Sequence, residues 1–340
     1  MWLRMSQSRR VWVYIVVAIL IVGAIGGAAF YYSTAKPSMK HLRIGYQPST
    51  HQIAHMTAME KGWWVEDLAK FGVGEITDYE FGSGPPEMQA MLAGDLDIAY
   101  VGATPPIVAI DKGLDAKIVA NVQIQGSHLV LRPSIPFTEP SSLEGLKIAT
   151  YPPGSIQDTV LKKWLIDNGI DPAEDLDIVP MISPGDAITA IGAGAVDGVF
   201  LPHPAPVIAE LEGSGIMVVA SGEMWPSHTC CCLVVSGELI REQPDMVEQI
   251  IRTHMRATQY NIDHPDEAAE IFTKKVGWEL DQVIYSLEKW DGVWVVDPHL
   301  GIDITLEYAR VLYSLGSTDN LLTEKDIFDT SFYDKIVGSQ

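Results

Sequence analysis

PEMQAMLAGDLDIAYVGATP, positions 86–105, returns one hundred residues later as DAITAIGAGAVDGVFLPHP, positions 186–204. Ala90, Ala93, Gly94 and Asp97 are matched by Ala190, Ala193, Gly194 and Asp197, and Tyr100 is matched by Phe200. Pro85 and Pro86 suit a helix's first turn, which has no use for the N–H they lack. Met88, Met91 and Leu92 make one apolar stripe, and Gly94 is a natural C-terminal stop. Asp97 then opens a short strand over 98–101, which ends in Gly102-Ala103-Thr104-Pro105. A helix–strand unit used twice predicts two α/β lobes of similar plan.

The flanks of both copies agree. Leu42-Arg43-Ile44-Gly45-Tyr46 reads as a strand, followed by a helix through Ile53, Met56, Ala58 and Met59. Residues 146–151 repeat that strand, with a helix over 157–168 behind it. Short apolar runs alternating with helical stretches mark an α/β protein.

Composition supports a packed body: 340 residues, 47% apolar and 20% charged, exclude disordered, collagenous and coiled-coil classes. Three cysteines exclude a disulfide scaffold. The net charge of −21 disfavours nucleic acid as a partner, because phosphate binding needs a basic face. Residues 1–40 hold five Lys or Arg and no acid, which leaves 18 bases against 44 acids beyond them. The basic and acidic parts are therefore separate objects.

Between Arg10 and Lys36 no charged residue occurs, and the core of that stretch, VWVYIVVAILIVGAIGGAAFYY, would rise roughly 33 Å as a helix. That length crosses a bilayer's hydrocarbon, and Trp12, Tyr14, Tyr31 and Tyr32 suit its two interfaces. Arg4, Arg9 and Arg10 keep the N-terminal end in the cytoplasm, so the expectation is a single-pass anchor with the acidic body outside. A cleaved signal peptide is the competing reading, although its apolar part normally runs only ~7–15 residues. Residues 33–40 read as a tether.

In open α/β sheets ligands sit beyond the carboxyl ends of strands, near helix N-termini with free N–H groups. One lobe offers Tyr46, Gln47, Ser83, Gly84, Gly102, Ala103 and Thr104; the other offers Gly154, Ser155, Ile156, Asp158 and His203. The cleft between them is the expected site, closing around a ligand like a hinge.

The ordered set Ile44-Gly45-Tyr46-Gln47, Glu60-Lys61-Gly62-Trp63, Phe81-Gly82-Ser83-Gly84, Ala93-Gly94-Asp95-Leu96-Asp97 and Ser142-Leu143-Glu144-Gly145-Leu146-Lys147-Ile148 carries a resemblance. Gly154-Ser155, Ala193-Gly194-Ala195-Val196-Asp197-Gly198 and His264-Pro265-Asp266-Glu267-Ala268-Ala269 extend it, from about residue 42 to 277. The chain resembles the extracytoplasmic solute-binding proteins of ABC importers, in the nitrate/sulfonate/taurine-binding group, related to thiamine-pyrimidine precursor-binding proteins. The resemblance implies a bilobed periplasmic-binding-protein fold with crossings near 125–131 and 225–233. Lobe 1 would then be residues 41–127 plus 229–340, and lobe 2 residues 128–228. It also implies permease and ATPase partners, no cofactor, and capture of a small polar molecule rather than catalysis.

Departures bear on the ligand. Relatives often carry His four residues after the Gly of Gly-Ser-Thr-x-His; here that position is Asp158. The usual Trp-x-Pro is Pro202-His203-Pro204, and no Arg clamp for a sulfonate stands at an expected cleft position.

His51, His128, His203 and His228 fall at expected strand ends or crossings, where imidazoles hold polar ligands, bind metal, or simply hydrogen-bond. His51 and His55 have the i, i+4 spacing of a metal pair without a further assured ligand. Cys230-Cys231-Cys232 opens an apolar run and reads as a strand whose buried thiols alternate in direction. The related pyrimidine-precursor synthase has a Cys-Cys-Cys-Phe-Cys run tied to iron; Leu233 and Val234 stand here instead and the fourth Cys is absent, which disfavours that chemistry, so thiamine-pyrimidine precursor binding, or such an enzyme using His and the cysteines, is kept as the alternative function. Tyr46 and Trp225 could cover an apolar ligand tail, whereas Trp63, Trp64, Trp290 and Trp294 read as packing residues. Gly-x-Ser-x-Gly, His-Glu-x-x-His, a phosphate loop and Cys-x-x-Cys are all absent from the sequence.

Overall fold

Two sheets carry the chain, and each is built around one copy of the repeated unit. The structure is a computed structural model that describes residues 41–338; the expected membrane segment and tether lie outside the described residues. Among the described residues no helix is long and apolar enough to cross a membrane.

The first sheet contains β1 (His41–Tyr46), β2 (Glu75–Glu80), β3 (Ile98–Gly102) and β4 (Ala116–Ile124). The second contains β5 (Ser127–Leu131), β6 (Lys147–Thr150), β7 (Asp177–Pro180), β8 (Gly198–Pro202) and β9 (Ile216–Ala220). The chain then returns to the first sheet with β10 (Thr229–Ser236) and the short β11 (Val293–Trp294). The strand orders are β2-β1-β3-β10-β4-β11 and β7-β6-β8-β5-β9. In each, three parallel strands are followed by an antiparallel one that arrives from the opposite crossing, β10 against β3 and β5 against β8. Both sheets lie in one compact unit that takes in all the described residues, 41–338.

The echo in the sequence is an echo in hydrogen bonds. Helix Gly84–Leu92 and helix Pro184–Gly192 precede β3 and β8. Gly94 and Gly194 take φ of +81° and +69°, the left-handed stop that a side chain would strain. Asp97 donates its N–H to the Arg43 carbonyl and accepts the Arg43 N–H on its carboxylate at 2.8 Å. Asp197 does the same with Lys147, at 2.9 Å for the carboxylate bond. The repeated aspartate therefore pins the start of the neighbouring strand in both sheets.

One expected face shifts. Leu92 is exposed, whereas Glu87 is fully buried beside Met88 and Met91. The apolar stripe is met from the turn at 87–88, because residues 87 and 91 stack i, i+4 on a helix.

The crossings are short: Gln125 and Gly126 link β4 to β5, and both have positive φ, 59° and 85°. The return passes through helix Ser221–Met224 and residues 225–228. Gln125 N donates to the His228 carbonyl and Ser227 N to Gln125 Oε1, so the two crossings run joined. Asp291 ties them further, accepting from Gly126 N and Gly222 N at 2.8 and 2.6 Å.

Candidate functional site

The carboxyl ends of β1 and β3 meet those of β6 and β8 across the divide between the sheets. Thr50 donates both its N–H and its Oγ1 hydroxyl to the His203 carbonyl, at 3.1 and 3.2 Å. Thr104 Oγ1 donates to the Gly154 carbonyl at 3.0 Å, and Ile156 packs on Gly102. At Gly82 an added Cβ would lie 2.5 Å from the Ile182 carbonyl oxygen, so only glycine lets these two loops touch. They are the equivalent loops of the two copies. The lobes are shut on one another, and Gln47, His51, Ser83, Thr104, Ser155, His203 and His228 are all buried.

Ser83 precedes helix Gly84–Leu92 as its N-cap, a position whose hydroxyl normally accepts an N–H from the second or third helical residue. Those residues are Pro85 and Pro86, which have no N–H. Ser83 Oγ is therefore fully buried without a hydrogen-bond partner. One turn on, Glu87 Oε2 accepts from Gln47 Nε2 at 2.7 Å while Oε1 finds no partner. Burial, only partly countered by the Gln47 bond, pushes the Glu87 carboxyl well above the usual range.

Imidazoles line the other side. His203 Nε2 meets His128 Nδ1 at 2.9 Å, and its Nδ1 meets Ser286 Oγ at 2.7 Å. Burial, with His128 and His51 adding, drives His203 well below its ordinary value. His128 is likewise lowered by burial. His228 Nδ1 donates to the Trp225 carbonyl, and burial holds it at about 4. All three are neutral near pH 7.

Several side chains and N–H groups expected to meet a ligand are engaged by the protein itself instead. Ser155 Oγ accepts Asp158 N as the cap of helix Ile156–Asp167, and Asp158 pairs with Lys162 at 2.6 Å and accepts Gly154 N. Ala103 N–H goes to the Cys230 carbonyl. Tyr46 OH donates to Glu80, with Lys275 over its ring. The Trp225 ring packs edge-on against Tyr308, with Lys163 over it. Gly84 and Ile156 stand at the two helix starts that flank the cleft. Trp290 and Trp294, read as packing residues, sit beside the site: Trp290 lies 5.9 Å from the His51 ring and Trp294 Nε1 donates to the Thr50 carbonyl.

The cysteines depart from alternation. Register shifts in the β10–β4 ladder at 229–232 form an irregular bulge, which re-aims side chains. Cys230 Sγ and Cys231 Sγ therefore lie 3.9 Å apart on the same side, 3.3 and 3.7 Å from His51 Nδ1. Cys232 Sγ turns to the Val101 carbonyl. Burial raises Cys231, but hydrogen bonding with Cys230, His51 and Gln52 outweighs it and holds the thiol below its ordinary value. His55, the other half of the i, i+4 pair, is elsewhere, 3.0 Å from Asp78.

Sequence reasoning missed Glu87, Gln52 and Ser286. A carboxylate placed four residues before Met91 on an apolar face was the available signal for Glu87. Nothing local marks Ser286, which reaches His203 from 83 residues away.

A two-lobed α/β protein shut over a buried polar cleft is the class that fold and site define. The chain belongs to the NMT1-like family, whose model matches residues 35–274. A Bacillus subtilis (strain 168) protein named for binding aliphatic sulfonates is 26% identical over 305 residues, covering 87% of this chain and 88% of its own. The alkanesulfonate-binding protein SsuA of Xanthomonas axonopodis pv. citri, solved bound to MOPS, superposes with a TM-score of 0.75 at 20% identity, covering 87% of this chain and 99% of that one. The periplasmic nitrate-binding protein NrtA of Synechocystis PCC 6803 gives 0.75 at 14%, covering 90% of each.

Proposed function

We propose that this protein is the extracytoplasmic solute-binding component of an ABC importer, delivering a small polar molecule to a permease and ATPase carried by other chains. Its role is capture, not catalysis. The lobes are taken as residues 41–127 plus 229–340 and residues 128–228, with the N-terminal apolar stretch as a single-pass membrane anchor. Sulfonate-, taurine- and nitrate-like solutes are the preferred class, in line with what the relatives are named for binding.

One observation carries the reading. Ser83 Oγ is a buried hydroxyl at a helix N-terminus whose own backbone offers it no partner, placed where the lobes meet. An unsatisfied buried group of this kind costs about 1–3 kcal/mol, which a bound solute can recover. Gln47, His51, Thr104 and His203 stand with it, and Gly84, Gly102, Ala103, Gly154, Ser155 and Ile156 form the backbone around it. Closure follows from contacts that exist only when both lobes engage the ligand.

The experiment is a thermal-shift and calorimetric screen of the full-length protein against taurine, alkanesulfonates, nitrate and pyrimidines. One of these solutes should raise the melting temperature, and Ser83→Ala and His203→Ala should each diminish the response. Equal responses in both variants and the parent would place the site elsewhere.

A further inference from the structure

Three donor atoms at the floor of the closed cleft outline a triangle with sides of 3.3, 3.7 and 3.9 Å: His51 Nδ1, Cys230 Sγ and Cys231 Sγ. Zinc–sulfur bonds near 2.3 Å and zinc–nitrogen bonds near 2.0–2.1 Å, set tetrahedrally, give a sulfur–sulfur edge of about 3.8 Å and sulfur–nitrogen edges of about 3.5 Å. The triangle is thus one face of such a tetrahedron, already formed.

Its surroundings fix it in that form. His51 Nε2 lies 2.7 Å from the Gly126 carbonyl, which can only accept, so Nε2 carries a proton and Nδ1, facing both sulfurs, is the ring nitrogen left to ligate. Gln52 Nε2 donates to Cys231 Sγ and is itself held through Oε1 by Gln47 N. The bulge in β10 brings two adjacent cysteines to one side, which a regular strand forbids. All three residues are buried, and among the described residues no fourth His, Cys, Asp or Glu joins them.

The geometry points to a binding site for one thiophilic metal ion, of the zinc(II) or copper(I) class, held by His51, Cys230 and Cys231 with its fourth position left to an exogenous donor. Two sulfurs and an imidazole favour such ions over magnesium, calcium or manganese. Three protein ligands with one open position are the arrangement of metal sites that exchange a ligand rather than merely brace a fold. All three ligands come from one side of the hinge, so opening the lobes exposes the triangle without dismantling it. The site does not depend on which solute the importer carries.

The test uses the full-length chain, kept reduced with a phosphine and titrated with cadmium(II) and, separately, cobalt(II). The expected result is a sulfur-to-cadmium charge-transfer band saturating at one ion per chain, and tetrahedral cobalt bands. Cys232→Ser, whose sulfur faces away, should keep both. Cys230→Ser and Cys231→Ser should each abolish stoichiometric binding, and Gln52→Ala should weaken it by about 10–100-fold, as loss of an outer hydrogen bond does. Circular dichroism establishes that each variant is folded. If Cys231→Ser does not fold, protection of Cys230 and Cys231, but not of Cys232, from alkylation by added metal in the parent decides the matter. No charge-transfer band in the parent, or unchanged titrations in folded Cys230→Ser and Cys231→Ser, would overturn the site.

Discussion

The helix starts at Ser83 and Ser183 are the same local structure put to opposite uses. Ser183 accepts Asp186 N at 3.2 Å, and its hydroxyl donates to the Asp186 carboxylate, on the protein surface. Ser83 occupies the identical place one hundred residues earlier, yet it is buried and unpaired because prolines fill the two positions that would cap it. One copy uses its serine to hold a helix; the other leaves its serine available to whatever enters the cleft. A duplicated unit need not be duplicated in role, and two missing N–H groups are enough to separate the roles.

Acid should disrupt both copies at once, with the largest effect. Burial holds His254 neutral down to about 4 and also lowers His203 well below its ordinary value, while in the unfolded chain both take up protons below about 6.5. Because the unfolded state binds more protons in that window, stability falls as pH drops from about 6.5 to 4, by about 3 kcal/mol for His254 alone. Glu87 opposes this: its raised carboxyl makes the fold gain stability as pH falls toward its unfolded value. Urea midpoints measured against pH should therefore fall on acidification, and more steeply in Glu87→Gln.

The repeated aspartates offer a sharper contrast. Asp97 is nearly buried and holds the Arg43 backbone and guanidinium together, whereas Asp197 is more exposed and Arg132 lies 3.9 Å away. Asp97→Ala should cost about 3 kcal/mol, the loss of a largely buried pair, against about 1 kcal/mol for Asp197→Ala. Equal losses in denaturant titrations would mean that the two lobes are pinned alike.

Where the copies touch, Gly82→Val should cost about 1–3 kcal/mol in the closed form alone, through overpacking against Ile182. Small-angle scattering should then show a more open particle and calorimetry a weaker ligand. A variant as compact as the parent would show that the loops can give way. The smallest effect is the most telling. Ser183→Ala should lower stability by about 1 kcal/mol, the worth of a cap, while Ser83→Ala, which removes an unsatisfied buried hydroxyl, should raise thermal stability without ligand and reduce ligand-induced stabilisation.

Much of this was readable along the chain. The strands around Ile44, Ile98, Ile148 and Val199, the glycine stops and the two-lobed plan follow from spacing of three or four residues, which local sterics govern. The loops that line the cleft were also legible, since they sit at strand ends. What those side chains do there was not. Ser155 and Asp158 cap their own helix, and Trp225 packs against Tyr308, because a polar or aromatic group takes the nearest geometry that satisfies it. Alternation placed Cys230 and Cys231 on opposite sides, and a bulge set by pairing with β4 put them on one.

By itself the order of residues determined where helices and strands begin, that the unit occurs twice, and that Ser83 could not cap its helix. These are consequences of backbone chemistry within a few residues. Only the tertiary structure decided that His51 faces two sulfurs 179 and 180 positions away, and that Ser286 reaches His203. Such meetings depend on strand register and lobe closure, which are settled by the packing of the whole chain.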